Sequence, residues 1–271
     1  MSAQTRAVDF EEPLKLYWQP GCTACLRMKE FFTRHGVDYI SINVLTDTKE
    51  LQELVQLAGR HIPIARRGND WADGQVLSEL ARIGGIDLGS EQMLSPGELA
   101  RRAINVLETV QRLTLQIPAD KLQNLLPDRP RTYMQLIAHI AQIVEAFVDL
   151  VTAGKRLQFE AYHQDVPANV HSGADMVGFV ASVQRRFSMW WQANGASADF
   201  QGSADVYYGR QTLHQYLERT VWHSSQHTRQ LTLVVETLGI VPDRPLSARE
   251  LAGLPLPTQV WDDTLIFSAV A

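Results

Sequence analysis

Between Gly84 and Gly97 the chain changes its periodicity, and this change constrains the fold more than any single motif. Before it, short runs of β-favouring residues alternate with short runs at helical spacing. After it, apolar residues recur at i, i+3, i+4 and i+7 over stretches of roughly twenty residues, with little strand signal. Two domains are expected, residues 1–89 and 95–271, separated by a stretch punctuated by Gly89, Pro96 and Gly97. A chain of 271 residues, 45% of them apolar, can fill two cores.

The first part reads β-α-β-α-β-β-α. Leu14-Lys15-Leu16-Tyr17-Trp18 is a strand broken by Pro20-Gly21. A helix follows over 23–35, carrying Leu26, Met28, Phe31 and Phe32 and ended by Gly36. Residues 39–44 alternate as a second strand. Asp47 or Thr48 caps the next helix, which turns Leu51, Leu54, Val55 and Leu57 inward and stops at Gly59. Ile62-Pro63-Ile64-Ala65 begins a third strand, Arg67-Gly68-Asn69-Asp70 is a turn, and Trp71-Ala72-Asp73 begins a fourth. Residues 77–83 form a final helix, stopped by Gly84-Gly85.

In the second part Ser95-Pro96 supplies an N-cap and first helical residue for a helix to about 116. Further helices are expected from 132 to about 152, over 175–193 and over 210–238, the last stopped by Gly239 and Pro242. Phe179, Val183, Phe187 and Trp190 make the stripe of the third, and residues 194–205 form a loop. Four such helices predict an all-α four-helix bundle. The Pro-rich end, Leu254-Pro255-Leu256-Pro257 to Trp261, is expected to lie over it as a strap.

The formal charge of −5 argues against a nucleic-acid partner, which requires a basic face. No apolar run reaches the length of a membrane span, so no membrane partner is expected. The first residues, MSAQTRAVDFEEP, lack the apolar core of a secretory signal, which points to the cytoplasm. Both cysteines sit in one CxxC, an economy that suits a reducing compartment.

That CxxC, Cys22-Thr23-Ala24-Cys25, follows a strand and opens a helix. Unpaired N–H groups and the helix dipole stabilise a thiolate there, making Cys22 the nucleophile; Cys25, within the first turn, resolves a mixed disulfide. The alternative is half of a zinc site, completed by His35 and His61, the local candidates.

Residues 14–88 resemble a glutaredoxin. The resemblance rests on Tyr17-Trp18-Gln19-Pro20-Gly21-Cys22-Thr23-Ala24-Cys25, on Gly59-Arg60-His61-Ile62-Pro63, and on Gly74 after the fourth strand. It implies a thioredoxin-like sheet with flanking helices, a cis peptide before Pro63, and an Ile62 backbone that pairs with the peptide part of glutathione or another small thiol. It also implies that Arg60 and Gly74 help bind that thiol. Gln19, His61, Gln75 and the Thr23-Ala24 pair depart from the family's usual residues.

In the second part His223 and His227 lie four residues apart on the buried seam of the last long helix, formed by residues 213, 217, 220, 224, 227, 231, 234 and 238. His214 is about half a turn away and points elsewhere. His139 stands beside the seam Leu136, Ile140, Ile143 and Phe147 of the second helix. Three inward histidines from two helices suit a His₃ metal site with open positions, although a lone inward histidine is more often a satisfied core residue. His163 and His171 fall in a loop and are expected to be solvated.

Residues from about 95 to 262 resemble the DinB-like family of metal-binding four-helix bundles, which includes thiol-dependent S-transferases. Leu136-Ile137-Ala138-His139-Ile140 and, 84 residues on, Trp222-His223-Ser224-Ser225-Gln226-His227-Thr228-Arg229-Gln230-Leu231 carry it. The resemblance implies that His139, His223 and His227 hold a divalent metal, zinc or nickel and less often iron, and that the chain forms a homodimer. Together the two resemblances imply a two-domain enzyme acting on small thiols or mixed disulfides. It would couple a glutaredoxin-type oxidoreductase to a metal-dependent thiol transferase. The competing expectation is a glutaredoxin with a non-catalytic, metal-stabilised binding or dimerisation module.

Overall fold

A computed structural model describes residues 10–58, 62–89, 93–162 and 164–262. The chain divides into two compact units, one holding the described residues up to Gly89 together with Pro257–Asp262, the other Met93–Leu256.

The N-terminal unit is built on a four-stranded sheet in the order β2-β1-β3-β4. Its strands are β1 (Leu14–Trp18), β2 (Ile40–Asn43), β3 (Ile64–Arg67) and β4 (Asp70–Asp73). β1 runs parallel to β2 and antiparallel to β3, and β3 and β4 form a hairpin pairing Arg67 with Asp70. Arg67 ends β3 as the first residue of the turn expected over 67–70, with Gly68 and Asn69 as the two-residue connection. Its guanidinium is needed inside, where it donates to the carbonyls of Phe10, Glu12 and Ile83.

The pleat of β1 sorts its side chains. Leu14 and Leu16 face the helices α1 (Thr23–Arg34) and α3 (Leu77–Gly84), packing with Met28, Phe31, Phe32, Leu80 and Ile83. Tyr17 faces the other way, toward α2 (Thr48–Ala58), and packs with Ile42, Leu54 and Ile64. Lys15 and Tyr17 meet Glu50 of α2 at 2.5 and 2.8 Å. Asp47 caps α2 through the Glu50 N–H. This is a thioredoxin-like α/β arrangement.

The second unit is helical. Its long helices are α4 (Pro96–Gln116), α5 (Tyr133–Ala153), α6 (Gly173–Asn194) and α7 (Leu213–Thr237), followed by the short α8 (Ala248–Leu251). α4 and α5 each pack against both α6 and α7. Ser95, Thr132, Ser172 and Thr212 cap the four through their side-chain oxygens, and Thr132 and Thr212 form reciprocal capping boxes with Gln135 and Gln215. Two expectations change here. The buried stripe of α6 is Met176, Val180, Val183, Phe187 and Trp190, with Phe179 only half-buried. Residues 203–212, expected as loop and helix start, form a hairpin of β5 (Ser203–Val206) and β6 (Gly209–Thr212), turned at Tyr207-Tyr208.

The expectation that no segment reaches membrane length is also corrected. α5 is long and apolar enough to cross a bilayer, with a mean hydropathy of 1.6 over its richest window. Its apolar side chains, Leu136, Ile137, Ile140, Ile143, Val144 and Phe147, are fully buried within the protein, as in a core helix. The Pro-rich end divides: Leu254 belongs to the helical unit, whereas Pro257–Asp262 pack on the thioredoxin-like one.

Candidate functional sites

In the N-terminal unit Cys22 is the N-cap of α1 and Cys25 lies in its first turn. They are joined in a disulfide with Cα atoms 5.2 Å apart, and the Cys25 N–H points at Cys22 Sγ at 3.2 Å. No acidic residue stands in that first turn, so nothing in it offsets the positive end of the helix. Cys25 is fully buried and Cys22 partly exposed, which leaves Cys22 as the sulfur a substrate reaches. The zinc alternative loses its two sulfur ligands, which are joined in the disulfide; His35 Nδ1 bonds the Phe31 carbonyl at 2.8 Å. His61 lies outside the described residues.

The peptide before Pro63 is cis. Gly74 follows β4 with its N–H on the Pro63 carbonyl at 2.9 Å, and a Cβ on it would meet Pro63 Cγ at 2.7 Å and Met28 Sδ at 2.8 Å. Glycine at 74 therefore lets the proline and α1 close on the fourth strand. Ile62 is half-buried, and Arg60 lies outside the described residues.

Three residues here were not foreseen. Arg27, buried on α1, donates to the Gln75 carbonyl at 2.8 Å and ties the loop after β4 to the redox helix. Asp262 accepts from the Gly21 N–H at 3.1 Å and pairs with Lys29 at 2.7 Å, while Lys29 stacks on Trp18 at 3.6 Å. Trp261, fully buried, covers Gly21, whose φ of 63° and close ring contact leave no room for a side chain. An arginine two residues beyond the CxxC, between Leu26 and Met28 of the apolar helix, was the one available signal for Arg27; the contacts of 261 and 262 are non-local and left none.

In the helical unit α5 supplies His139 and α7 supplies His223 and His227. All three are buried, and one ring nitrogen from each lies within 4.8 Å of the others. Among the described residues they are the only such group of histidine, cysteine or acidic side chains. His227 Nδ1 bonds Gln230 Oε1 at 2.7 Å, whereas Nδ1 of His139 and of His223 is shielded without a partner. Burial foremost holds all three well below the ordinary imidazole range, assisted by Arg131 at His139 and His227 and by Arg219 at His223. Three neutral imidazoles, two with an unpartnered nitrogen and one oriented from behind by an amide, are a donor set that fits a divalent ion. His214 is excluded as expected, its Nε2 bound to the Leu94 carbonyl at 2.8 Å. His171 is exposed, and His163 lies outside the described residues.

Sequence reasoning missed the surroundings of this cluster. Tyr162 presents its ring edge to His223 and His139, with centroids 5.6 and 6.2 Å away. Its hydroxyl accepts from buried Arg219 at 2.9 Å, and the guanidinium lies over Tyr208 at 4.6 Å. Arg219 stands four residues before His223, so a cation on the histidine face of α7 was the visible signal.

The sheet order, the cis proline and the disulfide at the start of α1 define a thioredoxin-like unit with the dithiol of a thiol–disulfide oxidoreductase. Residues 14–66 match the glutaredoxin family model. That family acts on thiols and mixed disulfides. Comparison with the curated proteins found no match.

Proposed function

We propose that the protein is a two-domain thiol enzyme. A glutaredoxin-type oxidoreductase using glutathione or another small thiol is joined to a DinB-like four-helix bundle, in which His139, His223 and His227 hold a divalent metal. The observation that carries the first half is the partly exposed Cys22 at the start of α1, inside a span that matches glutaredoxins.

The Cys22 thiolate attacks the glutathionyl sulfur of a mixed disulfide, and the client sulfur leaves as a thiolate and takes up a proton. Cys25, once deprotonated, attacks Cys22 Sγ in turn; glutathione leaves and the Cys22–Cys25 disulfide forms. Two further molecules of glutathione reduce that disulfide and depart as glutathione disulfide. The expected outcome for Cys22→Ser is loss of turnover in a hydroxyethyl-disulfide assay with glutathione. Unchanged turnover would overturn the assignment.

For the bundle, the buried histidine triad supports the metal reading. A divalent ion held by His139, His223 and His227 would supply Lewis acidity toward a thiol. Gln230 orients the His227 ring, and burial keeps all three imidazoles neutral and ready to donate. Elemental analysis after reconstitution is expected to find about one divalent ion per chain, lost when the three histidines become alanine. A chain that takes up no metal ends this half of the reading.

A further inference from the structure

Arginines stand close to the three histidines. The charges acting most strongly on the rings are the guanidinia of Arg131, Arg129 and Arg219, and no carboxylate appears among them. Arg219 has its own partners in Tyr162 and the Tyr208 ring. Arg131 differs: its Nη1 is shielded from solvent without a hydrogen-bond partner, and no ion pair joins it to a carboxylate among the described residues. Burial pushes its pKa down to about 10, which still leaves it charged at neutral pH.

The backbone fixes where this arginine stands. The connection between α4 and α5 folds back on itself, with the Leu126 N–H on the Arg131 carbonyl and the Arg131 N–H on the Arg129 carbonyl, both at 2.8 Å. Leu125 bridges to Thr132, the N-cap of α5. Arg131 is thus held at the mouth of the helix that carries His139 about two turns further on. A shielded guanidinium nitrogen with no acceptor is costly unless a ligand supplies one. A divalent ion on three neutral imidazoles would add positive charge close to the Arg131 guanidinium.

We propose that Arg131 is a carboxylate-binding residue, and that the helical unit takes a small thiol bearing a carboxylate. The sulfur binds at the three-histidine site, and the carboxylate docks on the planar fork of Arg131 in the two-pronged geometry that guanidinium favours. Such a ligand brings two negative charges to a site whose strongest charged neighbours are guanidinia. The proposal rests on the metal reading above and goes beyond it by naming a ligand class and the residue that selects it.

The test uses the full chain reconstituted with Co²⁺, whose d–d bands report ligation by the histidines and whose thiolate-to-metal absorption reports bound sulfur. 3-Mercaptopropionate is titrated against 3-mercaptopropanol, and mercaptoacetate against 2-mercaptoethanol. At least one acid should bind about tenfold or more tightly than its alcohol, the scale of a charged hydrogen-bonded pair. Arg131→Gln should abolish that preference and Arg131→Lys keep part of it, with the d–d bands unchanged in both. Equal affinity for acid and alcohol in the unaltered protein overturns the carboxylate site while leaving the metal reading intact. A preference that survives Arg131→Gln overturns the assignment to Arg131. Failure to take up Co²⁺ overturns both. Should Arg131→Gln not fold, the acid–alcohol comparison in the unaltered protein and in Arg131→Lys decides.

Discussion

At the scale of single residues, the polar cluster beneath the sheet makes a pH prediction. Tyr17 is fully buried, and its phenol is pushed up to about 12, by burial first and then by Glu50, which accepts its hydrogen bond. A tyrosine in the unfolded chain ionises near ~10. Between those values the unfolded chain gives up a proton that the folded chain keeps, so stability is full below about 10 and falls as pH rises toward about 12. Tyr17→Phe should remove ~2–3 kcal/mol of that alkaline loss, read as a smaller difference between urea-unfolding free energies at the two ends of the window. An unaltered pH slope in the variant would refute the account. Cys22, Cys25 and the three histidines were legible because reactive and ligand-type side chains at short, fixed spacings stand out in a sequence. Arg131 was not, since an arginine before an N-cap reads as solvated until its nitrogen is seen to be shielded.

At the scale of elements, the helix starts were legible where a cap marks them. Ser95 and Thr132 open α4 and α5 as expected, and Asp47 opens α2. Thr132→Ala should lower stability by about 1 kcal/mol, as loss of an N-cap does, and Thr132→Ser should restore most of it. Urea midpoints of the two variants check this; equal midpoints for alanine and the unaltered protein would count against the cap. The β5–β6 hairpin was illegible because its turn, Tyr207-Tyr208, lacks the Asn-Gly or Asp-Gly signal, and only Gly209, with a φ of 105°, marks it. The α6 stripe was misplaced by one residue because both Phe179 and Val180 fit a helical period, and packing chose the smaller.

At the scale of the whole molecule, the segment Pro257–Asp262 matters most. It completes the thioredoxin-like unit from the far end of the sequence. Both carboxylate oxygens of Glu30 on α1 accept from the N–H groups of Thr258 and Gln259, at 2.6 and 2.8 Å, and Trp261 covers Gly21 beside the nucleophile. Trp261→Ala should destabilise that unit by ~3–5 kcal/mol, the range for emptying a buried tryptophan site. Hydrogen exchange of peptides from β1 and α1 should quicken in the variant, with a smaller change in Trp261→Phe. Exchange rates equal to those of the unaltered protein would show that the segment adds no stability there.

The sequence by itself determined the α/β-then-helical order, the redox pair and the three histidines. Periodicity, caps and reactive side chains are local properties, and a linear reading contains them. Tertiary structure alone decided that Trp261 and Asp262 belong beside Gly21, that Arg67 and Arg27 donate to backbone carbonyls, and that Arg131 Nη1 is shielded without a hydrogen-bond partner. Those facts depend on which distant groups share a dry interior, and burial is what turns an ordinary arginine or tryptophan into a structural element.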